Sequence, residues 1–297
     1  VTVMKKLLII LLNLFILNLI FANSPKTNEV YVKGSNINVQ KYIKFCDKTK
    51  KIKNLYVQKY EVTRKEFEEY LDYFGYNQLK EYSKDGGLFT YNNMMPYPDS
   101  AAVLITFYDA CKYCNWRSEQ EGFEPAYIIE DELPFAVKYF QWKQENGEWV
   151  YYVPKMPEIR LNEKANGYRL PTINEYFYLL LGGQEGIDNK WWEEIDITKY
   201  EFFANSHFTN KVGSLKANPL GVYDIFSNAP EWIWADTNTY SRDDSINYAK
   251  YAVGYALREE SLPNFNLIRY ISNKKSLSPK SPLERGFIGM RMVRNAE

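Results

Sequence analysis

Cys111 and Cys114 are the side chains whose type and spacing most directly invite a chemical reading. Two thiols at Cys-x-x-Cys spacing can close a disulfide or cycle between thiol and disulfide, provided one is held as an accessible thiolate. Other nucleophiles and bases are sparse, with one further cysteine, Cys46, and one histidine, His207, in the chain. Cys46 stands alone and reads as inert or surface-exposed. His207 follows Asn205 and Ser206 with no Gly-x-Ser-x-Gly elbow anywhere in the sequence, so it reads as a loop residue rather than a triad base. An odd count of three cysteines in 297 residues also means that packing, not disulfide stapling, must hold the fold.

The elements around these residues decide between the readings. Thr106 opens a helix with Asp109 placed to support its cap and dipole. Phe107, Ala110, Cys111 and Cys114 then share its inner face, and Gly122 follows its end. That placement favours two small buried hydrophobes over a redox pair, which would sit at a helix N-terminus. A second helix opens at Thr63, where Thr63 and Glu66 form a capping box. Phe67, Tyr70, Leu71 and Phe74 give it one apolar face, and Gly75 ends it. Thr172 and Glu175 repeat the capping box for a third helix with Tyr176, Leu179 and Leu180 inside, ended by Gly182-Gly183. A short strand at Tyr56 to Tyr60 precedes the Thr63 helix. Asn146-Gly147 between Trp142 and Trp149 predicts a hairpin turn. Few helices, scattered strands and long aromatic loops give an α+β domain of low regular content, with no repeat of fixed period.

The first residues carry an address. Met4 reads as the start, Lys5 and Lys6 as a basic n-region and Leu7 to Phe21 as an apolar core, with Ala22 near a cleavage point. The expected division is a signal peptide over 1–23, a lead-in segment over 24–55 that is polar and flexible from Ser24 to Gln40, and one domain over 56–297 with an insertion at about 124–165. The apolar run is shorter than the roughly 20 residues of a comfortable membrane span, so no span is expected in the mature chain; an uncleaved anchor is the alternative. No cysteine lies near the cleavage point, which argues against a lipoprotein. Lysine plus arginine and aspartate plus glutamate each total 37, so formal charge is zero, which argues against nonspecific nucleic-acid binding. Aromatics at 17% of the chain supply a sizeable core.

Several blocks stand in a recognisable order. They are Val57 to Thr63, Tyr97-Pro98, Phe107 to Trp116, Asn166-Gly167-Tyr168-Arg169-Leu170-Pro171-Thr172, Val212-Gly213, Asn218, Gly221 to Trp232, and Gly286 to Arg294. Together they resemble the formylglycine-generating enzyme (sulfatase-modifying factor) family over nearly all of the mature chain. The resemblance implies a C-type-lectin-like fold. Departures mark a diverged member: Ile173, Tyr176 and Phe177 after the central signature, Ser227 for a usual glycine, Pro230, and a reduced block at Tyr251 to Tyr255.

Enzymes of that family hold Cu(I) with two C-terminal cysteine thiolates and oxidise a substrate cysteine with oxygen. Soft copper selects such sulfur donors. Here Cys114 is the last cysteine in the chain. No catalytic residue and no copper are therefore expected. The family's calcium loop resembles Asp224 to Glu231, which implies side-chain ligands from Asp224 and Glu231 and backbone carbonyls from Ser227 and Ala229, a hard-oxygen set suited to Ca²⁺. The alternative is that Asp224 caps a turn and Glu231 sits in a surface salt bridge. A second family metal site at Asn205 lacks its acidic partner before Val212.

The expectation is an exported pseudoenzyme in the periplasm, cell envelope or medium, binding an envelope or extracellular protein or a glycan. Irregular loops on a packed frame suit recognition, and Trp191-Trp192 and the aromatic insertion offer stacking surfaces, core packing being their alternative. The competing reading is a formylglycine-generating oxidoreductase acting on a sulfatase cysteine. A structural part of an envelope complex is a third.

Overall fold

The structure, a computed structural model, describes residues 25–43, 46, 51–76, 80, 83–84, 89–130, 141–145, 148–152, 157–193, 195–200, 208–226, 228–234, 251–253 and 287–296. In chain order the described elements begin with β1 (Glu29–Val32), β2 (Leu55–Gln58), α1 (Arg64–Tyr73), β3 (Ser83–Lys84), β4 (Phe89–Thr90), α2 (Tyr91–Met94) and α3 (Phe107–Gln120). They continue with β5 (Tyr127–Ile129), β6 (Gln141–Glu145), β7 (Glu148–Tyr152), β8 (Ile159–Leu161), α4 (Ile173–Leu180), α5 (Gly183–Asp188), β9 (Glu231–Ile233), β10 (Tyr251–Val253) and β11 (Val293–Asn295). This is the mixed, sparsely regular α+β content that the sequence implied.

The helices form where local chemistry dictates. Thr63 accepts from the Glu66 amide while Glu66 returns a carboxylate oxygen to the Thr63 amide at 2.9 Å, and Thr172 and Glu175 do the same at 2.8 Å. Two orphan amides are satisfied at each start. Thr106 caps α3 by accepting from the Asp109 amide at 2.9 Å. Gly75 and Gly122 take φ of +75° and +76° just past α1 and α3, a turn that L side chains resist. At the end of α4 the expected stop is a junction instead. Gly182 adopts φ +79° and the short α5 begins at Gly183.

The lead-in is part of the body. β1 pairs antiparallel with β2, which pairs antiparallel with β11, so residues from near both ends of the chain share one sheet. Val32, Val39, Ile43 and Ile52 are buried with Tyr176, Phe177, Leu179 and Trp192 in a core around α4. The expected flexible segment is instead held in place, because the pairing of β1 with β2 and the burial of Val32, Val39, Ile43 and Ile52 outweigh its polar composition. Cys46 also lies in this core, 1% exposed, not on the surface. A second core joins α1 and α3 through Phe67, Tyr70, Phe107, Trp116, Tyr168 and Trp232.

Among the described residues three ion pairs are buried; two join segments far apart in the chain, and Arg169–Glu175 ties the central signature to the first turn of α4. Glu29 meets Arg294 at 2.7 and 2.9 Å, Arg169 meets Glu175 at 2.7 and 2.8 Å, and Glu231 meets Arg291 at 2.9 Å. Arg294 also lies over the rings of Tyr56 and Phe123, at 4.1 and 4.8 Å. In the expected insertion, β5 pairs with β8, and β6 pairs with β7 with Glu145 opposite Glu148. The turn residues Asn146 and Gly147 lie outside the described residues. No described helix is long and apolar enough to cross a membrane.

Candidate functional site

The 224–231 loop lies over a buried cluster of carboxylates. Asp224 and Asn228 both occupy the left-handed region, with φ of +53° and +62°, which turns the loop sharply between Val222 and β9. Asp224 Oδ2 accepts from the Gly213 amide at 2.6 Å. Its Oδ1 is buried and has no hydrogen-bond partner among the described residues. Glu231, at the start of β9, is completely buried.

Glu61, between β2 and the cap of α1, completes the cluster. It is 1% exposed and accepts from Asn228 Nδ2 at 2.7 Å and from the Ala229 amide at 3.0 Å. Arg291 is the counter-ion. Its Nη2 donates to Glu231 Oε1 at 2.9 Å and to the Tyr223 carbonyl at 2.7 Å, and its Nη1 donates to the Lys59 carbonyl at 2.7 Å. Glu231 is thus in an ion pair, but in the interior and not on the surface.

The electrostatics follow from one guanidinium serving three carboxylates. Burial pushes the Glu61 carboxyl well above the usual glutamate range, and the charges of Asp224 and Glu231 push it further, against the pull of Arg291. Burial also raises Asp224 and Glu231, although Arg291 draws both down. Holding all three carboxylates ionised beside Arg291 would leave a net charge of about −2 in a low-dielectric setting, where unbalanced charge is expensive. The upward shifts favour a neutral Glu61 in the absence of a further cation. A divalent cation would relieve the unbalanced charge.

The resemblance-derived ligand set fits this setting in part. Asp224 offers an unpartnered oxygen, and a carboxylate with four lone-pair sites, such as Glu231, keeps capacity beyond its Arg291 contacts. The Ala229 position is described and Ser227 is not. Among the described residues no three His, Cys, Asp or Glu side chains converge as a metal site; the loop set draws on only two side chains.

The thiols lie elsewhere. Cys111 and Cys114 are fully buried on the inner face of α3, and burial pushes the Cys114 thiol far above its usual range. A neutral, enclosed thiol is neither a nucleophile nor a copper ligand. His207, Asn205 and residues 254–269 lie outside the described residues. Trp192 is buried against Tyr42, ring centroids 5.7 Å apart, and Trp191 packs on Tyr200, so this pair serves the core. Sequence reasoning placed Glu61 and Arg291 in their blocks without assigning them a role. The only signal was a charged residue next to apolar neighbours, Glu61 before Val62 and Arg291 between Met290 and Met292.

The irregular loops, the buried Asp224 and Glu231, and the sheet in which β2 pairs with both β1 and β11 define a C-type-lectin-like protein of the formylglycine-generating-enzyme type. The chain belongs to the family of sulfatase-modifying factor enzyme 1-like domains, whose profile matches residues 20–296. It is 30% identical over 224 residues to "Chaperone protein LppX" of Paenibacillus barcinonensis, covering 69% of this chain and 70% of that one. Two solved structures share the fold. The crystal structure of CarF matches with TM-score 0.54 and 20% identity over 91% of this chain and 98% of its own. Treponema denticola variable protein 1 matches with TM-score 0.54 and 18% identity over 90% and 94%.

Proposed function

We propose that this chain is an exported, non-catalytic binding protein built on the formylglycine-generating-enzyme frame. The observation that carries the reading is the placement of sulfur. The last cysteine is Cys114, and it is buried in α3 with Cys111. Copper chemistry of the family's kind requires two accessible thiolates, which this chain does not offer downstream of that helix. A relative named as a chaperone supports the binding half of the reading, because a chaperone acts by holding another polypeptide. The basic and apolar leader at Lys5 to Phe21 supports export to the periplasm, envelope or medium. An envelope or extracellular protein, or a glycan, is the class of partner.

Calcium is part of the proposal. Asp224 and Glu231 would hold it with their side chains, and Ser227 and Ala229 with backbone carbonyls. The ion would neutralise the buried charge and fix the loop as a recognition surface; it would not drive a reaction. The unpartnered Asp224 Oδ1 is what supports this assignment. Titration with Cu(I) against a chromophoric competitor tests the sulfur argument. No binding tighter than the competitor is expected, and stoichiometric tight binding by the folded protein would overturn the non-catalytic reading.

A further inference from the structure

We infer that Asn228 is a positioning residue that couples calcium at the 224–231 loop to the 209–213 segment, so that the ion orders the surface to which this segment belongs. The inference rests on the calcium reading above and adds the part of the molecule that responds to the ion. In the chain Asn228 stands between Ser227 and Ala229, the two proposed carbonyl donors. Its φ of +62° lies in the left-handed region, which asparagine adopts more readily than most residues.

The Asn228 side chain ties the loop to two other parts of the chain. Its Oδ1 accepts from the Asn210 amide at 2.8 Å, and its Nδ2 donates to Glu61 at 2.7 Å and to the Asn210 carbonyl at 3.4 Å. A side-chain amide thus pairs with both backbone groups of Asn210, as a neighbouring strand would. Asp224 makes a second tie, because the oxygen that takes the Gly213 amide at 2.6 Å belongs to the carboxylate offered to the ion. Whatever fixes the loop therefore fixes Asn210 and Gly213.

The other side of the segment faces the stretch before α3. The Thr209 and Val212 amides donate to the Met94 and Asp99 carbonyls at 2.7 and 2.9 Å, and the Ala101 amide donates to the Asn210 carbonyl at 3.2 Å. This side makes no contact with the loop, so its bonds serve as an internal reference. The surface here is aromatic and half-exposed. Tyr97 and Phe208 are each 48% exposed, and the Lys211 ammonium lies 4.8 Å from the Tyr97 ring centroid. Coupling between two sites is reciprocal: if the ion steadies the segment through Asn228, the Asn228 contacts strengthen binding of the ion by the same factor.

Amide hydrogen exchange of the full chain, resolved to single residues and compared with calcium and with chelator, tests this directly. Calcium should slow exchange within the 224–231 loop and, by about tenfold, at Asn210 and Gly213, while Thr209 and Val212 change less. Asn228→Gly keeps the left-handed backbone and removes the side chain. In that variant Gly213 should still gain protection through Asp224, Asn210 should gain none, and calorimetry should show calcium bound about tenfold more weakly. Protection of the loop without Asn210 and Gly213 overturns the coupling and leaves the calcium reading standing. Protection of Asn210 that persists in Asn228→Gly overturns the role of Asn228. No protection anywhere, with no heat of calcium binding, removes the ion and the coupling together. Should the variant not fold, the pattern in the parent chain still decides, since Asn210 and Gly213 must respond more than Thr209 and Val212.

Discussion

Removing the Arg291 guanidinium strands Glu231 beside Glu61 and Asp224 with no cation in reach among the described residues. Breaking a buried pair from one side costs about 3–5 kcal/mol. Arg291→Met is therefore expected to lower denaturant-derived stability by that amount, and a loss under 1 kcal/mol would show that the cluster is not held as described. Acid should act through Glu175. Burial alone would raise its carboxyl, but Arg169 and the hydrogen bonds from Arg169 and Thr172 hold it below the usual glutamate range. A carboxyl lowered in the folded state stabilises above its unfolded pKa, and that contribution is lost as pH falls through the folded value. Glu175→Gln should reduce stability near neutrality and flatten the acid limb below the glutamate range. Equal slopes for both proteins would contradict the assignment. Asp224 and Glu231 were legible as a loop with ligand chemistry. Their partners were not, because Arg291 lies 60 residues from Glu231 and 230 from Glu61, and no local pattern encodes that distance.

At the scale of elements, what was local was legible. The capping boxes at Thr63 and Thr172 involve three-residue spacings and formed as read, and so did the buried face of α3. Thr63→Ala should cost about 1 kcal/mol in chemical unfolding, typical of a lost N-cap; no change would mean that packing alone fixes the start of α1. Gly167 in the central signature shows a different constraint. A Cβ there would stand 2.2 Å from the Glu124 carbonyl oxygen and 2.6 Å from Ser118 Oγ. Gly167→Ala is expected to be destabilising by more than 2 kcal/mol, since the nearer contact is backbone and cannot swing away; a thermal melt within two degrees of the parent would count against that packing. The strand β1 escaped notice because four residues flanked by polar ones carry little periodicity. Its place is set by pairing with β2 and by the Glu29–Arg294 ion pair, both properties of the assembled sheet.

The whole molecule combines a family frame with an altered chemical inventory. The ordered blocks specify the frame because they encode turns, caps and buried pairs, and those persist here even where the residues after Thr172 have changed to Ile173, Tyr176 and Phe177. Function was less legible. Binding surfaces on loops follow from side-chain neighbourhoods, which are assembled from segments that are far apart in the chain. The calcium proposal belongs at this scale, since one ion would steady the whole loop. At 100 times its dissociation constant it adds about 2.7 kcal/mol, roughly 5–10 °C in melting temperature for a domain of this size. Melts with excess calcium and with chelator should differ by that amount and should coincide in Asp224→Ala; coincident melts of the parent protein would remove the ion from the account.

The most direct test concerns sulfur. The purified chain, supplied with copper, oxygen, a reductant and a peptide carrying Cys-x-Pro-x-Arg, should leave the peptide mass unchanged, because Cys111 and Cys114 are enclosed in α3 and no cysteine follows them. Conversion of the peptide cysteine to formylglycine, seen as the corresponding loss of mass and abolished in a boiled control, would contradict the central claim.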